Sequence, residues 1–430
     1  MGSAAPSSRA QSTASVRAPP AAAAAASPVS SVALSWRRTW SSPAAEHQQS
    51  PVSALAWRQC VEGLSGGGDA HAGWLFSAAR RVLNLWECEP GGGVGGEAAL
   101  SLMHSQATSI RATSLDVDAD SGTLLAAAAD ARGGADAAAV CLHTLRPTDF
   151  MFMLGALKMP KPLGGGKAHT QGAPLIAVSL SPCGGPLAGC VALAFGKDVS
   201  VAALPRASGL GVSAPAAAAA QKAHYRAMPQ GYSVHVSALA PWPQAPLIIT
   251  LGSDGSLSVW DMRIRPTGAA VSPAASVTKA GAGAVVSVAA VATTMVLSLT
   301  AKGHAALWDL RKASGPTQEG LMSMSLAASS QLTMPASARA FAGCVAPETG
   351  DALGVMCVGE DGKGSSLHCA LVSPVVGGGL GAWCSLALPA TSAAPAREAG
   401  HAAGSPLCFG RCGGTLYAGG ADGVINVYRS

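Results

Sequence analysis

Charged and aromatic residues are both scarce in this chain of 430 residues. Only 12% are charged and 4% aromatic, whereas about 25% of a soluble domain is charged. The net charge is +5, and four arginines (Arg9, Arg17, Arg37 and Arg38) precede the first acidic residue, Glu46. Without them, 24 of the 28 basic residues remain against 23 acidic ones. The remainder is nearly neutral and lacks the basic stripe that duplex binding requires, so we expect no direct nucleic-acid partner.

Motifs for catalysis and metal binding are missing as well. The sequence contains no C-x-x-C, no H-E-x-x-H, no phosphate-binding G-x-x-x-x-G-K-[ST] and no spaced Cys/His set. A G-x-G-x-x-G match at 91–96 lies in a glycine-rich stretch with no helical pattern after it, and a G-x-S-x-G match at 63–67 lacks the strand–turn–helix context. With 52 glycines, such matches arise by chance. We therefore expect no enzymatic activity, no cofactor and no metal ion.

One uncharged run is long enough to span a bilayer, from Ala280 to Ala301. It contains five hydroxyl side chains and no interfacial aromatics, which favours two buried strands with a turn near Thr293 and Thr294. Residues 1–45 are acid-free and rich in Ser, Ala and Arg. This composition predicts a disordered tail over 1–28, with an organellar transit peptide as the alternative.

The cysteines of this chain show no spacing that predicts disulfide pairs. The count is eleven, spread from Cys60 to Cys412. An odd number on apolar strands without a secretory signal predicts reduced, buried thiols in a cytosolic or nuclear protein. His235 and His368 fall within strand patterns, and we interpret them as structural rather than as ligands.

The most ordered pattern is a hairpin between Leu251 and Arg263. Two short alternating strands flank Asp254 and Gly255, which predicts a two-residue type I′ turn with positive φ at both positions. Similar hairpins recur at 74–86, 124–142, 190–201, 247–261, 296–309, 354–369 and 416–428. Taking positions 86, 142, 201, 260, 308, 368 and 428 as equivalent gives a repeat of 48 to 60 residues.

Each repeat extends beyond its hairpin. A further strand is predicted before six of the hairpins, at 52–57, 109–115, 175–180, 234–239, 285–288 and 340–345. A weaker fourth strand is expected in the loop that follows. Stretches rich in Ala, Gly, Pro and Ser, at 90–98, 205–221, 266–284, 312–330 and 373–404, are interpreted as loops between the units.

The hairpin at 253–261 and the run Ala306-Leu307-Trp308-Asp309 resemble the WD40 repeat signature. The resemblance implies an all-β fold, a seven-bladed β-propeller over residues 29–430 with four strands in each blade. It assigns structural repeat positions to Trp86, Asp254, Gly255, Trp260, Trp308, Asp422 and Gly423. No strand pattern follows the seventh hairpin. We therefore expect Val29–Trp36 to complete the last blade and close the ring.

Two motifs have functional content of their own. Trp260-Asp261-Met262-Arg263 and Trp308-Asp309-Leu310-Arg311 both fit W-D-x-R, and resemble the motif of WD40 substrate receptors of cullin-4 ubiquitin ligases. The resemblance places Asp261, Arg263, Asp309 and Arg311 on the rim as candidate protein-interaction residues. The alternative is that the aspartates cap turns and the arginines are merely solvated.

The order of motifs is similar to that of the small WD40 nucleoporins of the outer-ring Y-complex. The matching features are Trp36-Arg37-Arg38-Thr39-Trp40, Leu83-Asn84-Leu85-Trp86, Val140-Cys141-Leu142-His143, Lys167-Ala168-His169-Thr170 and the central W-D-x-R blade. The resemblance implies a non-enzymatic scaffold of the nuclear pore, located at the nuclear envelope, with other nucleoporins as partners. The alternatives are a cullin-4 receptor that binds the ligase adaptor, or a generic assembly scaffold. For location, the alternatives are the cytoplasm or an organelle.

Overall fold

A computed structural model was obtained for the chain. It describes residues 37–41, 51–59, 73–79, 81–88, 100–108, 112–117, 124–129, 138–144, 152–158, 175–180, 190–195, 198–203, 221–226, 236–241, 247–252, 255–261, 275–277, 285–291, 294–312, 322–336, 338–346, 352–358, 365–372, 379–386, 406–410, 414–420 and 422–429. These residues form β-strands and their connections, without any helix among them. The strands belong to one compact unit, Ala33–Ser430; the predicted tail at 1–28 lies outside the described residues.

The described strands form seven four-stranded antiparallel sheets, which we number as blades 1 to 7. In blades 1 to 6, four consecutive strands pair in chain order, and we name them a to d. Blade 7 combines the last three strands of the chain with the first strand. The d strands of blades 1 to 6 are the fourth strands expected from the sequence.

Blade 1 consists of β2 (Val52–Gln59), β3 (Gly73–Ala79), β4 (Val82–Cys88) and β5 (Leu100–Ala107). Blade 2 consists of β6 (Ala112–Val117), β7 (Leu124–Ala129), β8 (Ala138–Thr144) and β9 (Phe152–Lys158). Blade 3 consists of β10 (Leu175–Leu180), β11 (Cys190–Phe195), β12 (Asp198–Ala203) and β13 (Gln221–Arg226). Blade 4 consists of β14 (Val236–Pro241), β15 (Leu247–Gly252), β16 (Leu257–Asp261) and β17 (Ala275–Val277).

Blade 5 consists of β18 (Val285–Ala290), β19 (Met295–Thr300), β20 (His304–Lys312) and β21 (Met322–Gln331). Blade 6 consists of β22 (Arg339–Val345), β23 (Ala352–Val358), β24 (Ser365–Val372) and β25 (Leu380–Leu386). Blade 7 consists of β26 (Leu407–Phe409), β27 (Thr415–Gly419), β28 (Ile425–Arg429) and β1 (Arg37–Ser41).

The a strands lie innermost, since each contacts the a strand of the next blade and β26 contacts β2. Serine hydroxyls join neighbouring a strands at two places. Ser53 donates to the carbonyl oxygen of Ala112 in blade 2 at 2.7 Å, and Ser287 donates to that of Gly343 in blade 6 at 3.1 Å. This arrangement confirms the all-β propeller class expected from the sequence.

The edge strand of blade 7 comes from the start of the chain. β1 pairs antiparallel with β28, with Arg37 opposite Arg429 and Ser41 opposite Asn426. The sequence predicts this strand in the segment directly before β1, at Val29–Trp36, which lies outside the described residues. Charged residues suit an outer strand because one of its edges remains unpaired, so the Arg-rich segment can occupy a position that alternation alone does not specify.

Blades 7 and 1 meet in close contact. The Val52 amide donates to the carbonyl oxygen of Gly420 at 3.1 Å. A Cβ on Gly419 would lie 2.6 Å from the Cβ of Val52, which leaves no room for a side chain. One buried cluster also spans the two blades, containing Val52, Leu55, Leu75, Trp86, Cys88, Leu100, Tyr417, Ile425 and Val427. This cluster is named the seam.

Cross-strand pairing corrects three positions of the predicted repeat. Trp86, Trp260, Trp308 and Tyr428 lie opposite equivalent residues of their b strands. In blades 2, 3 and 6, the bulge in strand a marks a point on strand b, and the equivalent residue of strand b lies at the same distance from this point as in the other blades. The strand c residues that pair with it are His143, Ala202 and Ala370. The sequence had placed these positions at 142, 201 and 368. Loops between strands b and c differ in length, so counting along the sequence does not preserve the register.

The apolar run at 280–301 forms two strands, as predicted. β18 and β19 are joined by a short turn in which the Val291 amide donates to Met295 at 3.0 Å. The part of the chain that the structure describes has no helix long and apolar enough to cross a membrane. The stretches interpreted as loops at 266–284, 312–330 and 373–404 contain β17, most of β21 and β25, which are the fourth strands expected within these loops. Ala and Ser have low strand propensity, but in β21 pairing with β20 outweighs it.

The b–c turns differ from the predicted two-residue type. The Gly255 amide donates to Gly252 at 2.9 Å, and the Gly252 amide donates to Ser256 at 2.8 Å. The loop is therefore a four-residue turn followed by a glycine bulge. Gly255 (84°) and Gly423 (81°) both have positive φ. The hydrogen bonds at Gly252 differ from those of the predicted two-residue type I′ turn, and Asp254, the other central residue of that turn, lies outside the described residues.

Candidate protein-interaction site

Buried tryptophans on strand c hydrogen-bond to hydroxyls on strand b. The three pairs are Trp86 Nε1 to Ser77 Oγ (2.9 Å), Trp260 Nε1 to Thr250 Oγ1 (2.7 Å) and Trp308 Nε1 to Ser298 Oγ (2.9 Å). Each hydroxyl lies diagonally across the two strands from its tryptophan. A buried indole N–H requires such an acceptor, so these three repeat positions contribute to the packing of blades 1, 4 and 5.

The hydroxyl is absent wherever the tryptophan is absent. The four other blades have Ala127, Leu193, Val355 and Ala418 at the equivalent position of strand b. Their strand c residues at the tryptophan position carry no indole. Donor and acceptor thus occur together in three blades and are both replaced in the others, which leaves no buried hydroxyl without its indole donor at this position.

Blade 6 buries a histidine in place of this pair. His368 lies two residues before the tryptophan position and is buried. Its Nε2 is 2.9 Å from Ser366 Oγ, and its Nδ1 is 3.0 Å from Ser385 Oγ. One ring nitrogen donates and the other accepts when the imidazole is neutral, so two serines satisfy the ring without any acidic partner.

The stability of the fold should depend on pH through His368. Burial lowers the pKa of His368 below its ordinary value of 6.5. Near and below pH 6.5 the unfolded chain therefore binds a proton that the folded chain does not. The free energy of unfolding should fall as pH drops from 7 toward the folded pKa, by up to about 1.4 kcal/mol per pH unit from this group.

Urea unfolding at several pH values between 5 and 7.5 measures this dependence. His368→Asn removes the titrating group and keeps a polar side chain, so the difference in unfolding free energy between wild type and variant should shrink as pH falls. A difference that stays constant across this range would show that His368 does not contribute to the pH dependence.

The four predicted rim residues differ in exposure and in their position on the strands. Asp261 ends β16 and is partly exposed, whereas Asp309 lies inside β20 with only 8% of its surface exposed. Arg311 lies further along β20, opposite Ser323, and Arg263 lies outside the described residues. Asp309 is buried, whereas Asp261 is partly exposed, and the interaction role of all four residues stays a prediction.

Six cysteines whose surroundings the structure describes form no disulfide; three of them are buried and three are partly buried. Burial raises the pKa of Cys369 to about 12, with a further contribution from Cys384. Burial also raises the pKa of Cys357 to about 12 and that of Cys344 well above its usual range. Because the thiolate is the nucleophile, we expect these three thiols to stay protonated and weakly nucleophilic at neutral pH.

A cavity that the sequence did not predict lies between blades 5 and 6. Its volume is about 370 Å³, and it is lined by Lys302, His304, Gln331, Leu332, Met334, Pro335, Ala336 and Ala338. Two connections build it, namely the b–c turn of blade 5 and the segment that joins β21 to β22. The cavity lies on the face of the propeller that carries the b–c turns.

Hydrogen bonds hold the two connections together. The Leu332 amide donates to the carbonyl oxygen of Gly303 at 2.9 Å. Gln331 Nε2 donates to the carbonyl oxygens of Lys302 at 2.7 Å and Leu332 at 3.2 Å. The Ala340 amide reaches back to the carbonyl oxygen of the turn at Ala301, at 2.8 Å. The walls of the cavity are therefore formed without any ligand.

Glycine is required at the centre of this turn. Gly303 has a φ of 77°, which side-chain-bearing residues rarely adopt. A Cβ at this position would lie 2.9 Å from Met334 Cε and 3.1 Å from Leu332 Cβ. Met334 is held from the opposite side by the Cys357 thiol, with a sulfur–sulfur distance of 3.2 Å. In the sequence, the glycine directly before His304 marks a turn but does not indicate a cavity.

Comparison with solved structures shows the fold. The chain is similar to the β-propeller domain of Cps50 (Swd1) from Myceliophteria thermophila, with a TM-score of 0.58 and 13% identity over 92% of this chain and 99% of that chain. It is also similar to a chain of a mitotic checkpoint complex, with a TM-score of 0.53 and 12% identity over 92% of both chains. No protein-family model and no curated protein matches the sequence. At this identity the likeness establishes the β-propeller fold alone.

Proposed function

We propose that this β-propeller is a non-enzymatic scaffold that binds other proteins within a multi-subunit assembly. The observation that carries the proposal is the preformed cavity between blades 5 and 6, which combines cationic and apolar lining on an accessible face. A ring of blades offers two faces and a rim, so several partners can bind it at once. Among the described residues, no group of three His, Cys, Asp or Glu side chains is placed to hold a metal ion.

One further observation supports protein partners. A structural neighbour is a chain of a multi-protein complex, the mitotic checkpoint complex.

The specific assembly that we propose is the outer ring of the nuclear pore. The order of motifs in the sequence supports this proposal, beginning with the basic tryptophan cluster at Trp36–Trp40. Most of this cluster belongs to β1, the strand that pairs with β28. The expected location is the nuclear envelope, with the cytoplasm or an organelle as the alternatives.

Affinity purification of the tagged full chain followed by mass spectrometry tests this function. We expect other members of the outer-ring complex to copurify, together with rim staining of the nucleus by fluorescence microscopy. Recovery of the cullin-4 adaptor without outer-ring proteins would contradict the nuclear pore proposal. Recovery of no protein above the level of an unrelated tagged propeller would contradict the scaffold function itself.

A double charge reversal separates the nuclear pore from the ligase alternative in the same experiment. Arg263→Glu combined with Arg311→Glu should abolish adaptor binding if the W-D-x-R motifs bind a cullin-4 adaptor, since a guanidinium pairs with acidic groups in a fixed geometry. Under the nuclear pore proposal, the same variant keeps its rim staining and its outer-ring partners.

A further inference from the structure

We propose that the cavity between blades 5 and 6 binds a partner segment in which an Asp or Glu residue lies next to an apolar residue. This inference rests on the proposed scaffold function and names the chemistry that one of its sites recognises. The carboxylate would lie against Lys302 and His304, and the apolar side chain against Leu332, Met334 and Pro335.

The charge of the lining favours an anion. Among the lining residues, Lys302 is exposed and His304 is partly buried, and no acidic residue is among the described lining residues. Arg339 is also exposed and follows directly after the connection that forms the cavity. A carboxylate near an ammonium group gains charge-assisted hydrogen bonds. The charge also selects which segment binds, because Lys302 repels a cationic side chain at the same position.

One polar atom of the wall is buried and lacks a partner. His304 Nδ1 is inaccessible to solvent and makes no hydrogen bond. The backbone amide of His304, in contrast, donates to Thr300 Oγ1 at 3.1 Å. An unsatisfied buried nitrogen costs free energy, and a small movement of the imidazole that lets Nδ1 donate a hydrogen bond to a bound carboxylate would recover it. His304 lines the cavity together with Lys302, so it is the second candidate donor to the carboxylate.

The rest of the lining is apolar and adaptable. Leu332 is buried, while Pro335 and Ala336 are exposed. Met334 has a flexible thioether that adjusts to side chains of different shape. An acidic residue alone would leave this surface in water, so the preferred segment places Leu, Ile, Met or Phe beside the carboxylate.

The volume and rigidity of the site point to a short extended segment. A cavity of about 370 Å³ is at the small end of ligand pockets, which span about 300–1,000 Å³. It accommodates one or two side chains. The amide group of Gln331 is already engaged with two carbonyl oxygens, so it fixes the wall. Preorganisation of this kind limits the entropy lost on binding.

Selection of phage-displayed random decapeptides on the purified full chain tests the inference. Wild type should enrich peptides with Asp or Glu adjacent to Leu, Ile, Met or Phe. Lys302→Glu should lose this enrichment, and Lys302→Arg should retain it. The matched control is Arg81→Glu, which makes the same charge change at an exposed b–c turn residue of blade 1 and should enrich the same peptides as wild type.

Titration of one enriched synthetic peptide measures the effect. We expect the dissociation constant to rise at least tenfold for Lys302→Glu, and by a similar factor when the acidic residue of the peptide becomes its amide. Unchanged thermal midpoints of the variants confirm that they are folded. The inference is overturned if wild type enriches no acidic–apolar peptides, or if Lys302→Glu binds them as wild type does. Copurification of partners in either case leaves the scaffold function standing.

Discussion

Replacement of Trp86 by alanine is expected to lower the free energy of unfolding by about 3–5 kcal/mol, the usual cost of a large cavity in a core. Trp86 has 0% of its surface exposed and belongs to the seam between blades 1 and 7. The substitution also removes the N–H that donates to the buried Ser77 hydroxyl. Urea unfolding followed by tryptophan fluorescence and circular dichroism measures the change.

An exposed apolar residue provides the control for Trp86. Leu326→Ala removes a side chain that is 53% exposed, and surface changes of this kind stay within about 0.5 kcal/mol. A double-mutant cycle with Trp86→Phe and Ser77→Ala isolates the hydrogen bond, which should show a coupling of about 0.5–1.5 kcal/mol. If Trp86→Ala is as stable as Leu326→Ala, then the seam is not a major source of stability.

Deletion of residues 1–41 should destabilise the propeller and make it associate with itself. The deletion removes β1, and with it four cross-strand pairs to β28. Their loss should cost about 2–4 kcal/mol. It also exposes the backbone N–H and carbonyl groups along β28, and an unpaired edge is a template for another chain. Thermal unfolding and sedimentation velocity at several concentrations measure both effects.

A shorter deletion separates the strand from the residues that precede it. A variant without residues 1–32 keeps β1 and should match the full chain in midpoint and in sedimentation coefficient. If the two deletions behave alike, pairing between β1 and β28 does not hold blade 7 in place. A mild effect of the longer deletion with no association would instead indicate that another segment covers β28.

Local pattern was sufficient for the strands and their hairpins. The alternation in 247–261 and the paired strands at 285–290 and 295–300 were predicted because side chains on a strand alternate between two faces. The turn type was not predicted, because Asp-Gly occurs both in two-residue turns and before a glycine bulge. Choosing between them requires the register of Leu251 opposite Leu257.

Elements that depend on distant partners were predicted less well. A fourth strand was expected only somewhere in the loop after each hairpin, and the Ala and Ser residues of β21 have low strand propensity, so its bounds are set by pairing with β20 over its whole length. The strand that completes blade 7 was expected at Val29–Trp36, next to the observed Arg37–Ser41. Both outcomes depend on which strand edge is free, and that edge is created elsewhere in the chain.

The candidate site also combines features that the sequence predicts with features that only the structure shows. W-D-x-R residues were visible in the sequence, but only the structure shows that Asp309 is buried and that Asp261 is partly exposed. The cavity of Lys302, His304 and Met334 had no recognisable motif, because its two connections are about thirty residues apart. Neither connection forms a cavity alone.

The sequence by itself determined the repeating unit of this protein, namely apolar alternation with glycine at the turns and a tryptophan on the third strand of some units. These features act over a few residues, where backbone geometry and side-chain periodicity decide the outcome. Only the tertiary structure decided the partner of β28, the residues of the seam and the cavity between blades 5 and 6. Each of these arises where strands distant in sequence meet, and their contacts depend on the packing of whole sheets.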